Sequence, residues 1–243
     1  HLENALAEFS SSDQFTTYNE ENPFKDALNK SHELMGLVKN PEKVKIENIS
    51  IKSAEGFIDK IDDRLSDIED EISKLNTQIQ ALDADFNSLA PFKGLNYTLK
   101  GIYDMDFFKY RFGKIPKVNF DKFESYLDPD INAIFITTLA ETEYVYGVFF
   151  APNEYFEEVA KDFKNINFDE IAIAKKYKDF PDKECENILS QKEDLQKQVQ
   201  AKEDSINNVI EESKTKLVSA IRRIETAYSN FDVRKLSAVT RES

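Results

Sequence analysis

The apolar residues of the segment 51–91 follow a regular alternation of three-residue and four-residue steps. This a/d spacing is typical of a coiled coil, and it gives a stripe only two positions wide, so the predicted helix needs a partner helix. At 1.5 Å per residue, a helix over residues 53–89 is roughly 54 Å long. The stripe begins at Ala54 and continues through Ile58, Ile61, Leu65, Ile68, Ile72, Leu75, Ile79, Leu82, Phe86 and Leu89.

A second, weaker stripe runs through residues 181–231 and supplies the predicted partner. Its seam positions include Cys185, Ile188, Leu195, Val199 and Ile206. Lys192, Lys202 and Ser213 also fall on the seam, and the register slips near Ser213, as a stutter produces. The two lysines are expected to face acidic residues that flank the first stripe, namely Asp62, Glu69, Glu71 and Asp83. The sequence therefore predicts that an outgoing helix (51–91) and a returning helix (181–231) pair antiparallel.

The segment 92–180, between the two stripes, has the composition of a compact lobe, because it holds 13 of the 19 Phe and eight of the ten Tyr. Strand patterns at 107–112, 131–138, 143–150 and 168–176 alternate with helix patterns at 118–127 and 154–166. This order, βαββαβ, is that of the ferredoxin-like split unit. The strands between 131 and 150 are apolar on both faces and are expected to be central.

The first strand of this lobe has the alternation of a sheet with one wet face. Phe108, Tyr110 and Phe112 alternate with Lys109 and Arg111. A shorter helix is predicted at 24–38, followed by a linker from 40 to 51 that includes Pro41. The predicted fold class is α+β: an elongated antiparallel two-helix coiled coil or bundle, a ferredoxin-like lobe at its tip, and a partial α/β lobe at the chain ends.

Charge and composition narrow the range of partners. The formal net charge of −14 disfavours nucleic acid and anionic membrane surfaces and favours a basic or neutral protein. One cysteine and two histidines exclude a disulfide framework and a multi-Cys/His zinc site, and they indicate a reducing compartment. No stretch approaches the roughly 20 apolar residues of a membrane span, so a soluble chain is expected. The abrupt ends suggest a piece of a longer protein.

Each motif that could indicate RNA binding, calcium binding or catalysis is better explained as part of the folded scaffold. The segment YVYGVFF (144–150) lacks the basic-Gly start and one aromatic position of an RNA-binding sheet motif. Asp128, Asp130 and Asn132 open like a calcium loop, but Ala133 replaces its glycine and Leu139 its final carboxylate, so a turn is favoured. Neither histidine belongs to a catalytic triad, and Cys185 is interpreted as a packed thiol. We expect no catalytic residue, metal or cofactor.

The segment from Leu89 to Leu127, LAPFKGLNYTLKGIYDMDFFKYRFGKIPKVNFDKFESYL, resembles the cytoplasmic domain of subunit I, also called subunit a, of the archaeal and vacuolar-type rotary ATPases. The shared features are a heptad helix that runs into Leu-x-Pro-Phe, a strand that ends in Gly-Lys-Ile-Pro, and the later strand YVYGVFFAP. The opening HLEN and the closing FDVRKLSAVTRES are similar to other parts of the same domain.

The resemblance implies two α/β lobes joined by an antiparallel helical bundle beside a membrane. It implies a non-catalytic stator subunit at the cytoplasmic face, which binds peripheral stalk heterodimers and other subunits and resists rotor torque while ATP turnover is coupled to proton or sodium transport. The membrane half that carries the ions is absent from this chain, and the fragment is expected to be monomeric. On this interpretation residues 1–50 and 232–243 belong to a membrane-proximal lobe, and 92–180 is the distal lobe. Its candidate stalk-docking face consists of Lys109, Arg111, Lys114 and Lys117.

Two other classes of protein remain as alternatives. A chromosome-maintenance-like or motor-like protein also has an antiparallel coiled-coil stalk with a lobe at its tip, although it needs a nucleotide-binding head or a glycine-containing hinge. An enzyme built on the ferredoxin-like lobe needs a convergent acid, base or phosphate cradle.

Overall fold

A computed structural model describes residues 15–16, 21–125, 133–235 and 239–240. The elements, in chain order, are β1 (Phe15–Thr16), α1 (Lys25–Leu37), α2 (Ile51–Leu89), α3 (Leu99–Tyr103), β2 (Phe108–Pro116), α4 (Lys117–Ser125), β3 (Ile134–Ala140), β4 (Tyr144–Pro152), α5 (Phe156–Asn165), β5 (Asp169–Glu170), α6 (Pro181–Lys235) and β6 (Val239–Thr240). Short 3₁₀ turns lie at Pro41–Lys43 and Ala90–Phe92. The turn predicted at Asp128, Asp130 and Asn132 lies outside the described residues, as does most of the two terminal segments.

The two long helices begin close to where the sequence predicts them, and local signals explain their ends. Ser50 precedes α2, and its hydroxyl accepts the backbone N–H of Ser53 at 3.2 Å, as an N-cap does. The 3₁₀ turn that contains Pro91 ends α2. Helix α6 starts at Pro181 with acidic residues in its first turn, which suit the positive end of the helix dipole. It runs through Ser213 without a break.

The chain divides into two units, and the first consists of residues 1–73 and 199–243. Its core joins α1, the first part of α2 and the last part of α6 through Leu34, Val38, Ala54, Ile58, Ile61, Leu65, Val209, Ile210, Leu217, Val218, Ala220, Ile221 and Ile224. Lys216 lies 4.4 Å from the ring of Phe57, and Lys202 forms an ion pair with Glu71. Later positions on α2 thus meet earlier positions on α6, which makes this part of the pair antiparallel.

Polar contacts attach the rest of the first unit to the two long helices. Lys30 on α1 lies 2.8 Å from Asp59 and 3.2 Å from Asp62, and these hydrogen bonds raise the pKa of its amine. The linker predicted between α1 and α2 lies against α6, where the backbone N–H of Glu47 donates to the buried Ser219 hydroxyl at 2.9 Å. Strands β1 and β6 form a two-stranded antiparallel ladder.

The second unit, residues 74–198, contains a four-stranded antiparallel sheet in the order β3-β4-β2-β5. This strand order, with α4 and α5 as the two connecting helices, is the ferredoxin-like arrangement. Strand β2 pairs with β4 along its whole length, from Phe108 opposite Pro152 to Pro116 opposite Tyr144. The α+β class, with long antiparallel helices and a ferredoxin-like sheet, is confirmed.

Both faces of the sheet pack against helices, but Lys109 and Arg111 on β2 are exposed and alternate with the half-buried Tyr110 and the buried Phe112, as predicted for this strand. One face packs on α5 through Ile115, Phe149, Ala151, Phe156, Val159 and Phe163. The other face contacts the end of α2, α3 and the start of α6 through Leu82, Leu89, Phe92, Leu95, Leu99, Ile102, Phe112, Val148, Phe150, Tyr177, Cys185 and Ile188. Cores on both sides explain why this short segment carries so many aromatic residues.

Strand positions differ from the sequence prediction at two edges of the sheet. Strand β3 was expected to be central but lies at one edge, next to β4. At the other edge, β5 contains only Asp169–Glu170, although the apolar pattern predicts a strand from 168 to 176. The chain leaves the sheet after Ile171, whose backbone N–H still bonds to the Phe112 carbonyl. Ile171, Ile173 and Ala174 pack against the core that contains Phe112, which we call the second core.

Two glycines face each other in the centre of the sheet, at Gly113 on β2 and Gly147 on β4. A Cβ atom on Gly113 would lie 2.3 Å from the ring of Phe168, and one on Gly147 would lie 2.4 Å from the carbonyl oxygen of Ile136. Both positions therefore require glycine because aromatic rings and a neighbouring backbone occupy the space of a side chain.

Candidate docking surface

The first two residues of the predicted docking face, Lys109 and Arg111, lie together on β2. The Lys109 amine is 5.4 Å, and the Arg111 guanidinium 5.1 Å, from the centre of the Phe156 ring on α5. Arg111 also contacts a Glu170 carboxylate oxygen at 3.0 Å. The Phe156 ring attracts both cations and so restrains the positions of their charged groups. Each cation–π contact of this kind contributes about 0.5–1 kcal/mol of stabilisation at an exposed site.

The other two predicted residues, Lys114 and Lys117, lie further along the chain. The Lys114 amine lies 4.6 Å from the centre of the Tyr144 ring and 3.7 Å from an Asp169 carboxylate oxygen. Lys117 begins α4, with its side chain exposed and its backbone N–H donated to the Glu143 carbonyl at 2.8 Å. The structure thus brings Lys109 and Arg111 together over one ring and places Lys114 over another.

Acidic residues of β5 offset part of this positive charge. Asp169 pairs with Lys114, and Glu170 pairs with Arg111, whereas Lys109 and Lys117 have no carboxylate within 4 Å in the described part of the chain. The sequence alone did not reveal these two pairs, because they depend on the register in which β5 joins β2. Lys109 and Lys117 are therefore the cations of this set that are available to a partner.

The predicted seam residues divide into two groups by burial. The residues that belong to the two cores at the ends of the helices are buried: Ile58, Ile61, Leu65, Leu82, Leu89 and Ile188. The remaining seam residues are half-buried: Ile68, Ile72, Leu75, Ile79, Phe86, Leu195, Val199 and Ile206. Half-burial is expected in a two-helix seam, since each side chain then has solvent on one side.

Lysines on the returning helix meet acids on the outgoing helix, as predicted. In the second unit Lys192 contacts Asp83 at 2.5 Å, and in the first unit Lys202 pairs with Glu71. Asp62 was expected to face these lysines but pairs with Lys30 of α1 instead. Cys185 is fully buried in the second core, and burial raises the pKa of its thiol, in keeping with a packed and unreactive side chain.

A polar network that the sequence did not indicate holds the segment before α6 against α2. The hydroxyl of Tyr177 donates to Asp85 at 2.7 Å, and the amine of Lys176 contacts the same carboxylate oxygen at 2.7 Å. Burial alone would raise the pKa of Asp85, but these two hydrogen bonds outweigh that effect, and the pKa lies below its ordinary value. The network involves residues 92 apart in the chain, so no local signal could have revealed it.

Within the described residues, no group of three His, Cys, Asp or Glu side chains could hold a metal ion. None of the helices in that part of the chain has the length and apolar character needed to cross a bilayer.

Together, the long antiparallel helices and the ferredoxin-like sheet define an α+β protein with a cationic and aromatic surface on its sheet-containing unit. No protein-family model matches the sequence, and no curated protein matches it. The structure is similar to a crystal structure of the cytoplasmic N-terminal domain of subunit I, homolog of subunit a, of V-ATPase, with a TM-score of 0.55 and 10% identity over 96% of this chain and 84% of that one. The resemblance seen in the sequence is thereby confirmed at the level of the fold.

Proposed function

We propose that this chain is a non-catalytic stator element of a V-type or A-type rotary ATPase. It would link peripheral stalks to the membrane-embedded ion-translocating part, at the cytoplasmic face, and resist rotor torque during proton or sodium transport. The observation that carries the proposal is the similarity in fold to a V-ATPase subunit I domain over 96% of the chain. That similarity covers the long helices and the sheet together. A chance resemblance in only one of these parts would not extend over the whole chain.

The paired helices suit a part that bears load. A single helix bends easily, whereas two helices that share a seam of interdigitated side chains resist bending together. In the first unit Leu34 of α1, and Val38 just after it, join the core that contains the seam residues Ile58, Ile61 and Leu65. The ion pairs Lys202–Glu71 and Lys192–Asp83 further oppose sliding of one helix along the other within each unit.

On this proposal the lobe at 92–180 grips the end of one peripheral stalk, and residues 1–50 and 232–243 contribute to the membrane-proximal lobe. The residues predicted for the docking face are Lys109, Arg111, Lys114 and Lys117, of which Lys114 lies on the face of β2 opposite to Lys109 and Arg111. Lys109 and Lys117 supply the positive charge that would contact a stalk, because Arg111 and Lys114 already form ion pairs with Glu170 and Asp169. Charges at the rim of an interface act mainly on the association rate and its salt dependence.

The test is binding of the chain to a purified peripheral-stalk heterodimer, measured by biolayer interferometry at two salt concentrations. The double variant Lys109→Glu/Lys117→Glu is expected to lower the association rate roughly tenfold at low salt and less at high salt. The matched control is Lys52→Glu/Lys60→Glu, which reverses two exposed lysines on α2. No binding by the unmodified chain would contradict the stator role, and equal loss in the control would contradict the docking face.

A further inference from the structure

One edge of the sheet is only partly closed. Strand β2 pairs with β4 through all nine of its residues, but with β5 only at Gly113 and Lys114. One more bond follows, from the backbone N–H of Ile171 to the Phe112 carbonyl at 2.8 Å. Residues 108–111 of β2 therefore have a strand on one side and none on the other.

The antiparallel ladder shows which backbone groups face this open edge. The N–H of Asn153 donates to the Phe107 carbonyl on the β4 side, whereas the Phe112 carbonyl accepts from the β5 side. Because successive residues of a strand bond to opposite neighbours, the backbone groups of Phe108 and Tyr110 point towards the open edge. Across the described residues, no backbone hydrogen bond fills that side of either residue.

A cavity of about 500 Å³ lies along this open edge. Its lining includes Tyr110 from one face of β2 and both Lys109 and Arg111 from the other face. Since alternate side chains of a strand point to opposite faces, a cavity lined by both sets must lie beside the strand, not over one face. Ile171 and the residues that follow it line the opposite wall, where β5 would have continued.

One residue in the cavity wall has a hydroxyl without a partner among the described residues. The Tyr103 hydroxyl is buried and makes no hydrogen bond in that part of the chain, although its ring stacks on Tyr110 with 5.9 Å between ring centres. Burial raises the pKa of this hydroxyl to about 12, so it remains protonated at neutral pH and can donate. Buried polar groups are almost always hydrogen-bonded, so an unpartnered hydroxyl in a residue that lines the cavity is unusual.

A smaller apolar cavity of about 240 Å³ adjoins the first and shares Met105 and Phe108 with it. Its other lining residues are Tyr97, Ile134, Ile136 and Phe150. Phe107, next to this site, is 80% exposed. A contiguous group of exposed aromatic and Met side chains beside an open strand is typical of a binding surface.

We propose that this open edge of β2 binds an extended polypeptide segment that alternates apolar and acidic residues and joins the sheet as an added strand. Its backbone pairs with Phe108 and Tyr110. Its apolar side chains enter the aromatic side of the cavity, next to Tyr103, while its acidic side chains meet the opposite face at Lys109.

Although the net charge of −14 favours a basic or neutral partner for the chain as a whole, the local charges of the lining favour acidic over basic side chains in the guest. Three cations line the cavity, Lys109, Arg111 and Lys175, against two acids, Glu157 and Glu170. Arg111 is paired with Glu170, whereas neither Lys109 nor Lys175 has a carboxylate within 4 Å in the described part of the chain. The proposal does not depend on the stator role, because it concerns the chemistry of the segment and not the protein that carries it.

The test uses a capped, fluorescein-labelled peptide of eight residues that alternates valine with glutamate, and fluorescence anisotropy against the full chain. A block peptide with four valines followed by four glutamates has the same composition without the alternation, and a second control replaces glutamate by lysine. The alternating acidic peptide is expected to bind roughly tenfold more tightly than either control. Equal binding of the block peptide would overturn the added strand, and equal binding of the lysine peptide would overturn the charge preference.

Backbone pairing itself is tested by comparing Phe108→Pro with Phe108→Ala. Both variants lose the ring, but only the proline also loses the N–H that faces the open edge, and proline is tolerated at the first residue of a strand. The proline variant is expected to bind the peptide roughly twofold to tenfold more weakly than the alanine variant, as the loss of one hydrogen bond predicts. Two N-methylated peptides test the same bonds on the unmodified chain, one methylated at its odd-numbered residues and the other at its even-numbered residues. If both bind as tightly as the unmethylated peptide, the proposal is refuted.

Discussion

Gly147→Ala and Gly56→Ala are the same substitution, yet the structure predicts opposite effects on stability. Gly147 lies in the central strand β4, where an added Cβ atom would be 2.4 Å from the Ile136 carbonyl oxygen and 2.6 Å from the Phe135 ring. Gly56 lies on the exposed side of α2, where an added Cβ atom would meet nothing within 4 Å. The first substitution must therefore displace a neighbouring strand, whereas the second adds a methyl group in open space.

The magnitudes follow from these distances. Cβ atoms essentially never approach another heavy atom within 3.0 Å, so Gly147→Ala must move the β3 backbone by about 0.6 Å. Overpacking of this kind costs about 1–3 kcal/mol, and alanine's lower chain entropy offsets about 0.5–1 kcal/mol of it. Gly56→Ala is expected to stabilise the chain by about 1 kcal/mol, because alanine is the better helix former. For a chain of this length the melting temperature should change by roughly 2–4 °C for each kcal/mol.

The stability of both variants is to be measured by urea unfolding and thermal melting, with far-ultraviolet circular dichroism as the signal. The expected result is a lower midpoint for Gly147→Ala and a higher one for Gly56→Ala, with unchanged m-values. A Gly147→Ala variant stabilised like Gly56→Ala would refute the close approach of β3 to β4, because the net cost worked out above is about 0–2.5 kcal/mol. A destabilised Gly56→Ala variant would refute the exposed position of Gly56.

Three further predictions concern buried polar and thiol groups. Ser219→Ala leaves the N–H of the exposed Glu47 without its acceptor and should lower the free energy of unfolding by about 0.5–1.5 kcal/mol in urea titrations, whereas Thr226→Ala, on an exposed turn of α6, should have little effect. Asp85→Asn should cost about 1 kcal/mol at pH 7. Because the pKa of Asp85 is lowered on folding, its contribution is fully present above the ordinary pKa of 3.8 and is lost as the pH falls from there through the lower pKa of the folded chain, so the deficit should shrink in acid. Cys185 should react with a thiol reagent only after denaturant is added, and fast labelling of the native chain would contradict its burial.

The sequence predicted the long helices well because their signals are local and repeated. Five heptads of apolar residues specify an exposed helix surface and a buried seam without reference to the rest of the chain. The order of elements in the lobe was predicted for a similar reason, since alternation in strands and amphipathicity in helices are read within a few residues. The pairing of Lys192 with Asp83 also followed, because an antiparallel seam places seam lysines beside flanking acids.

The remaining features depend on tertiary contacts that leave no local signal. Ile171 and Ile173 continue the apolar alternation of a strand, but they pack into the second core, so β5 ends at Glu170. The same departure of the chain from the sheet creates the cavity along β2. Glycines opposite each other at 113 and 147 likewise become meaningful only once the register of β2 and β4 is known.

The antiparallel pairing of α2 and α6 within one molecule is the claim on which the proposed stator role depends. A zero-length carbodiimide joins carboxylates to amines that are in direct contact, so it can be applied to an equal mixture of ¹⁴N-labelled and ¹⁵N-labelled chain and analysed by mass spectrometry. We predict links between Glu71 and Lys202 and between Asp83 and Lys192, with both peptides of each link carrying the same isotope. Links that join a light peptide to a heavy one, or that connect Asp59 near the start of α2 with Lys183 near the start of α6, would contradict the account.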